Sequence, residues 1–104
     1  MSQRMSESQV EQALVKAVKQ RGGIAYKFTS PGVAGVPDRL VLLPQCPAAF
    51  VELKAPGQKP RPLQVRRFDQ IRQLGHAVFV VDHPSQIVGV LDEIQATRLP
   101  DRGN

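Results

Sequence analysis

Between Ala49 and Val81 the chain runs through an apolar strand, a proline-rich break, a helix and a second apolar strand, in that order. Ala49 to Lys54 reads as the first of these strands. Ala55 to Pro62 holds three prolines, a glycine and two basic residues, so it is a loop that cannot pair as a central strand. Leu63, Phe68, Ile71 and Leu74 then recur at helical spacing over Leu63 to Leu74, and Gly75 stops the run. Ala77 to Val81 is the closing strand. Strands joined by a helix pair in parallel through a right-handed crossover, which makes the fold α/β.

The preceding half supplies the rest. Ser6-Glu7-Ser8-Gln9 offers two overlapping capping boxes, Ser6 with Gln9 and Ser8 with Glu11. Val10, Ala13, Leu14, Ala17 and Val18 follow at helical spacing until Gly22-Gly23. Ile24 to Thr29 reads as a strand, Ser30 to Pro37 as a loop, and Asp38 to Leu43 as a strand ended by Pro44. Beyond Val81, Pro84 suits the first turn of a helix reaching about Ile94, and residues 98–104 are expected to fray. The order is α-β-β-β-α-β-α, a mixed central sheet flanked by helices. With 104 residues this is one domain spanning 1–104, its core about 7–94. Only five residues are aromatic, so the core rests on Val, Leu and Ile.

Fourteen Lys and Arg against nine Asp and Glu give a net charge of +5, which favours a polyanionic partner through counterion release. A single cysteine, Cys46, excludes an internal disulfide or a thiolate metal cluster and fits a reducing compartment. No apolar run acts as a secretory signal or membrane span, so a soluble, cytoplasmic protein without a membrane partner is expected.

The chemistry concentrates on the strand Ala49 to Lys54. Side chains alternate, so Phe50, Glu52 and Lys54 share one face while Val51 and Leu53 share the other. An unpaired charge buried there would be costly, so Glu52 and Lys54 face each other, water or a ligand. Taken alone, the pair fits an edge strand with a solvated face. Asp38 alone fits a turn after Pro37. Together across neighbouring strands, Asp38 and Glu52 form a two-carboxylate site of the kind that holds Mg²⁺ with waters and phosphate oxygens.

Pro37-Asp38 followed by Glu52-Leu53-Lys54 resembles the signature of the PD-(D/E)XK nucleases. Gly35-Val36-Pro37-Asp38-Arg39, Phe50-Val51-Glu52-Leu53-Lys54-Ala55, Gln64 opening the next helix and Glu11 on the first narrow the resemblance to the VRR-NUC branch, of the stand-alone phage or bacterial type. It covers roughly residues 7–94. The resemblance implies a restriction-endonuclease-like core. It implies that Asp38, Glu52 and the Leu53 carbonyl bind Mg²⁺ or Mn²⁺, that Lys54 orients the attacking water, and that Gln64 fixes Lys54 or that water. Glu11 would reach the metal region directly or through water, or else be an exposed helix residue completing a capping box. No small-molecule organic cofactor is implied.

Around that centre, Gly35 in the loop before Asp38 would let the DNA backbone approach, although a plain turn also needs glycine. From Lys54 to Arg72 six basic residues stand against Asp69 alone. Beside a phosphodiesterase site, Lys59, Arg61, Arg66 and Arg67 become candidate DNA contacts; elsewhere such a run is a solvated face. Arg39 points to the opposite sheet face from Asp38 and suits a structural role. His76, His83 and Cys46 carry no site spacing. The expected activity is metal-dependent hydrolysis of DNA, selective for branched, flap or Holliday-junction structures in replication, repair or recombination, by a homodimer. The alternatives are a non-catalytic DNA-binding module of the same fold, or an accessory subunit of a larger replication or repair protein.

Overall fold

The computed structural model of the protein describes residues 5–99. Its elements run α1 Glu7–Gln20, β1 Ile24–Lys27, β2 Arg39–Leu42, β3 Ala49–Leu53, α2 Pro62–Gln73, β4 Ala77–Val81, a 3-10 turn Pro84–Gln86 and α3 Ile87–Ala96. The four strands form one sheet in chain order. β1, β2 and β3 are successively antiparallel, and β3 pairs with β4 in parallel, Leu53 opposite Val81. The mixed sheet and the helix-flanked order are those expected from the sequence.

One sheet face carries the main core. Val10, Leu14 and Val18 on α1 and Ile87, Leu91 and Ile94 on α3 pack with Ala49, Val51 and Leu53, the odd positions of β3. α2 lies on the other face, where Phe68 is buried. The even positions of β3 (Phe50 and Glu52) look toward it. The Phe28 and Phe50 rings meet edge to face there, with centroids 5.5 Å apart.

Local chemistry fixes the ends. Ser6 Oγ accepts the Gln9 N–H and Gln9 Oε1 accepts the Ser6 N–H, so the first capping box forms. The overlapping box does not: Ser8 lies inside the helix, and the Glu11 carboxylate takes another partner, described below. β1 is shorter than expected, ending at Lys27, although the Phe28 N–H still donates to the Asp38 carbonyl at 2.7 Å. Pro84 opens a 3-10 turn instead of the α-helix, because Gln86 is drawn back onto Asp82: its Nε2 donates to Asp82 Oδ1 at 2.7 Å. The expected fraying from residue 98 is not seen at its start, since the Leu99 N–H donates to the Gln45 carbonyl at 2.6 Å. The rest of that tail lies outside the described residues.

Both outer strands carry an arginine cap. On β1 the Ala25 carbonyl accepts from Arg39 Nη1 at 2.9 Å; on β4 the Val78 carbonyl accepts from Arg72 Nη2 at 2.7 Å. Among the described residues no helix is long and apolar enough to cross a membrane.

Candidate active site

Asp38 stands immediately before β2, and its Oδ2 accepts the Leu53 N–H at 3.1 Å. The direction of that bond follows from the ladder. The Lys54 N–H donates to the Val81 carbonyl, so the Leu53 peptide groups turn the other way, toward β2. β2 stops pairing with β3 at Arg39–Val51, and Asp38 takes the place of the next rung. The Leu53 carbonyl therefore opens toward the same gap as the Asp38 carboxylate.

Among the described residues, Glu52 is the one charged side chain that is buried, 2% exposed. Its Oε2 accepts from Gln64 Nε2 at 3.0 Å and lies 3.3 Å from Lys54 Nζ. Its Oε1 is buried with no hydrogen-bond partner. Such an atom is costly unless something electropositive sits against it. Burial pushes the Glu52 pKa up to about 7; the charge of Asp38 adds to the rise, Lys54 opposes it, and Glu7 contributes a smaller upward push.

Gln64 is itself held. Its Oε1 accepts the Arg61 N–H at 2.9 Å, closing the first turn of α2, while its Nε2 reaches Glu52. The glutamine thus fixes the carboxylate directly, and Lys54 only through the oxygen they share. The first turn of α2 holds no acidic residue, so the positive end of the helix is uncompensated beside the site. A cleft of about 260 Å³ opens there between Gly35 and Val36 on one side and Arg61 and Gln64 on the other.

Asp38, Glu52, Lys54, Gln64 and the Leu53 peptide are thus brought together. Glu11 is not brought to them: its Oε2 accepts from Arg39 Nε at 2.9 Å, and Arg39, one residue on from Asp38, projects from the opposite sheet face. The helix-one carboxylate whose charge Glu52 feels is Glu7, one turn earlier. Nothing in the sequence separates the two, because the spacing of Glu7 and Glu11 places both on one helix flank.

The basic run divides. Lys59, Arg61 and Arg66 are exposed. Arg67 donates through Nε to the Ala34 carbonyl at 2.9 Å and through Nη1 to Gln70, so it latches the loop before Asp38 to α2. Arg72 caps β4. Gly35 has φ of +83°, and a Cβ there would stand 3.1 Å from Arg67 Cγ and 3.3 Å from the Leu63 carbonyl oxygen. Packing against α2 therefore requires this glycine, apart from any approach by DNA. His76 is exposed, and His83 caps the 3-10 turn by accepting the Ser85 N–H.

Among the described residues no three His, Cys, Asp or Glu side chains gather as a ready-made metal site. The donors that do converge are two carboxylates and a backbone carbonyl, one carboxylate oxygen being buried and unpartnered. That all-oxygen set fits a hard divalent cation whose remaining positions are filled by water or phosphate.

No family model matches the chain. A protein of Acyrthosiphon pisum secondary endosymbiont phage 1 named "Putative nuclease p44" is 55% identical to it over 76 residues, 73% of this chain and 82% of that protein. A solved structure described as a VRR_NUC domain superposes with a TM-score of 0.77 at 33% identity, covering 83% of this chain and 94% of that one.

Proposed function

Since the chain belongs to the VRR-NUC family of nuclease-like domains, we propose that it is a divalent-metal-dependent deoxyribonuclease acting through Asp38, Glu52, Lys54 and Gln64. The observation that carries the reading is the unpartnered, buried Glu52 Oε1, on a carboxylate that feels the charges of both Asp38 and Lys54. Asp38, Glu52 and the Leu53 carbonyl would hold Mg²⁺ or Mn²⁺, which would supply Lewis acidity toward a phosphate and activate water near neutral pH.

The chain's own groups do the remaining work. Gln64 and Lys54 both hold Glu52 Oε2, which aims the other oxygen at the gap beside Asp38. The Leu53 N–H does the same for Asp38. Lys54, its side chain largely enclosed and its Nζ already 3.3 Å from Glu52, offers hydrogen bonds to a water or phosphate oxygen entering the site. The α2 N-terminus and exposed Lys59, Arg61 and Arg66 favour the phosphates on either side.

The test is cleavage of labelled duplex, flap and four-way-junction DNA by the wild-type protein with Mg²⁺, Mn²⁺ or EDTA. Cleavage is expected with either metal and none with EDTA, with branched substrates cut faster than plain duplex in keeping with a role in replication, repair or recombination. Equal cleavage in EDTA would overturn the metal-dependent reading, and no cleavage of any substrate would overturn the nuclease.

The reading includes a cytoplasmic homodimer. The dimer is supported by exposed apolar side chains, Ile24 and Tyr26 on β1 at 51% and 54% and Leu74 at the end of α2 at 77%, the last of them lining an apolar groove of about 300 Å³. Sedimentation equilibrium is expected to give a dimer for the wild type and a folded monomer for Tyr26→Asp. A monomeric wild type would remove the dimer from the proposal.

A further inference from the structure

The turn after Lys54 is tied to a strand that contributes no side chain to the site described above. Ala55 to Gln58 closes on itself through the Gln58 N–H and the Ala55 carbonyl at 2.9 Å, with Gly57 at φ +82°. Among the described residues the turn has one side-chain anchor outside itself: the Gly57 N–H donates to Asp82 Oδ2 at 3.2 Å. Asp82 follows directly on β4, in register just past the last parallel rung, Leu53 opposite Val81. It is held in turn from the far side. Gln86 Nε2 donates to Asp82 Oδ1 at 2.7 Å, and the Asp82 N–H donates to Gln86 Oε1 at 2.9 Å. Both carboxylate oxygens are therefore committed inside the protein, one to the 3-10 turn and one to the segment that carries Lys59 and Arg61.

An acidic residue beside a phosphate-binding segment repels DNA if it acts only through its charge. One that orders the segment favours binding, because the ordering entropy is met on folding instead of on DNA capture. These two roles predict opposite signs on mutation.

We propose that Asp82 is a positioning residue that pre-orders the turn between Lys54 and α2, holding Lys59 and Arg61 for the DNA backbone through its bond to the Gly57 N–H. This rests on the nuclease reading given above. Lys54 itself is held by the sheet ladder and Gln64 by the first turn of α2, so loosening the turn weakens DNA capture and leaves the chemical step in place.

The experiment compares wild type, Asp82→Ala, Asp82→Asn and Gln86→Ala for DNA affinity by fluorescence anisotropy in EDTA, and for KM and kcat with Mg²⁺. Asp82→Ala is expected to raise Kd and KM about fivefold to tenfold, the net contribution of one ordinary hydrogen bond, since the bond is long and exposed, with kcat changed less than about twofold. Asp82→Asn keeps an oxygen for the Gly57 N–H and is expected to bind DNA at least as tightly as wild type. Gln86→Ala, which releases Asp82 without removing it, is expected to weaken binding by a smaller factor and covers the case in which Asp82→Ala does not fold. Unchanged or tighter binding by Asp82→Ala, or by Gln86→Ala should the former not fold, overturns the positioning role while leaving the nuclease intact. A folded wild type that neither binds nor cuts DNA overturns both.

Discussion

Lys54→Ala is expected to lower kcat for DNA cleavage by about a thousandfold, the middle of the range for a positioned proton donor or acceptor, while DNA affinity changes little. The reason lies in where the ammonium sits. With its side chain only 13% exposed, Lys54 is too enclosed to be a general phosphate tether, and the ammonium lies 3.3 Å from the buried Glu52 oxygen. Removing it subtracts a proton source from the site and also takes away the cation that opposes the rise in the Glu52 pKa. The carboxyl then holds its proton more tightly, so cation binding weakens at neutral pH and recovers as pH rises. Lys54→Arg is expected to restore the charge without the activity, because a planar guanidinium cannot take the place of a compact ammonium in so enclosed a position. Single-turnover kinetics over pH 6 to 9 with saturating metal would check this; activity within about tenfold of wild type in Lys54→Ala would remove the lysine from the chemical step.

Glu52→Gln is expected to abolish cleavage and at the same time stabilise the metal-free fold at alkaline pH. The sign follows from proton linkage. The Glu52 pKa rises from 4.5 to about 7 on folding, so between those values the folded state binds the extra proton and stability falls as pH rises. Above the upper value the carboxylate is ionised in both states, and its full penalty, about 3 kcal/mol, is present. Below pH 4.5 the group is protonated in both states and there is no penalty. Glutamine removes the charge and still offers an oxygen to Gln64 and Lys54. Urea unfolding in EDTA is thus expected to show Glu52→Gln more stable than wild type by about 2–3 kcal/mol at pH 8.5 and equal to it near pH 4. Added Mg²⁺ is expected to stabilise the wild type only, closing part of the gap. Equal stability of the two proteins at both pH values would mean that Glu52 pays no desolvation penalty.

The parts of this arrangement that depend on short-range periodicity were legible in the sequence. Alternation along a strand is local, so Phe50, Glu52 and Lys54 could be assigned a common face from their spacing, with Arg39 opposite Asp38. The strand–helix–strand run from Ala49 to Val81 fixed the parallel pair for the same reason. What could not be read depends on how elements register against one another. Glu7 and Glu11 sit a turn apart on one flank of α1, and which of them Glu52 senses is decided by the height of that helix over the sheet. Arg67 and Arg72 look like solvated cations in a basic run until the loop before Asp38 and the edge of β4 are seen beside them. Gly35 suggested an open approach for DNA because its neighbours on α2 are nearly thirty residues away in the chain. Pro84 is compatible with either kind of helical turn, and the choice is made by the bonds between Gln86 and Asp82.

The two arginines seated against the outer strands have a consequence for association between copies. A basic chain that gathers on a polyanion is concentrated far above its bulk level, and encounters between copies rise with the square of that local concentration. In such crowding a bare apolar strand such as Ala77–Val81 is a template on which another chain can polymerise. A guanidinium seated on the Val78 carbonyl, and another on that of Ala25, interrupts the row of acceptors such growth must copy. Two of the fourteen cations are thus spent on closing the sheet's edges to a further strand, a use of charge separate from attraction to a polyanion.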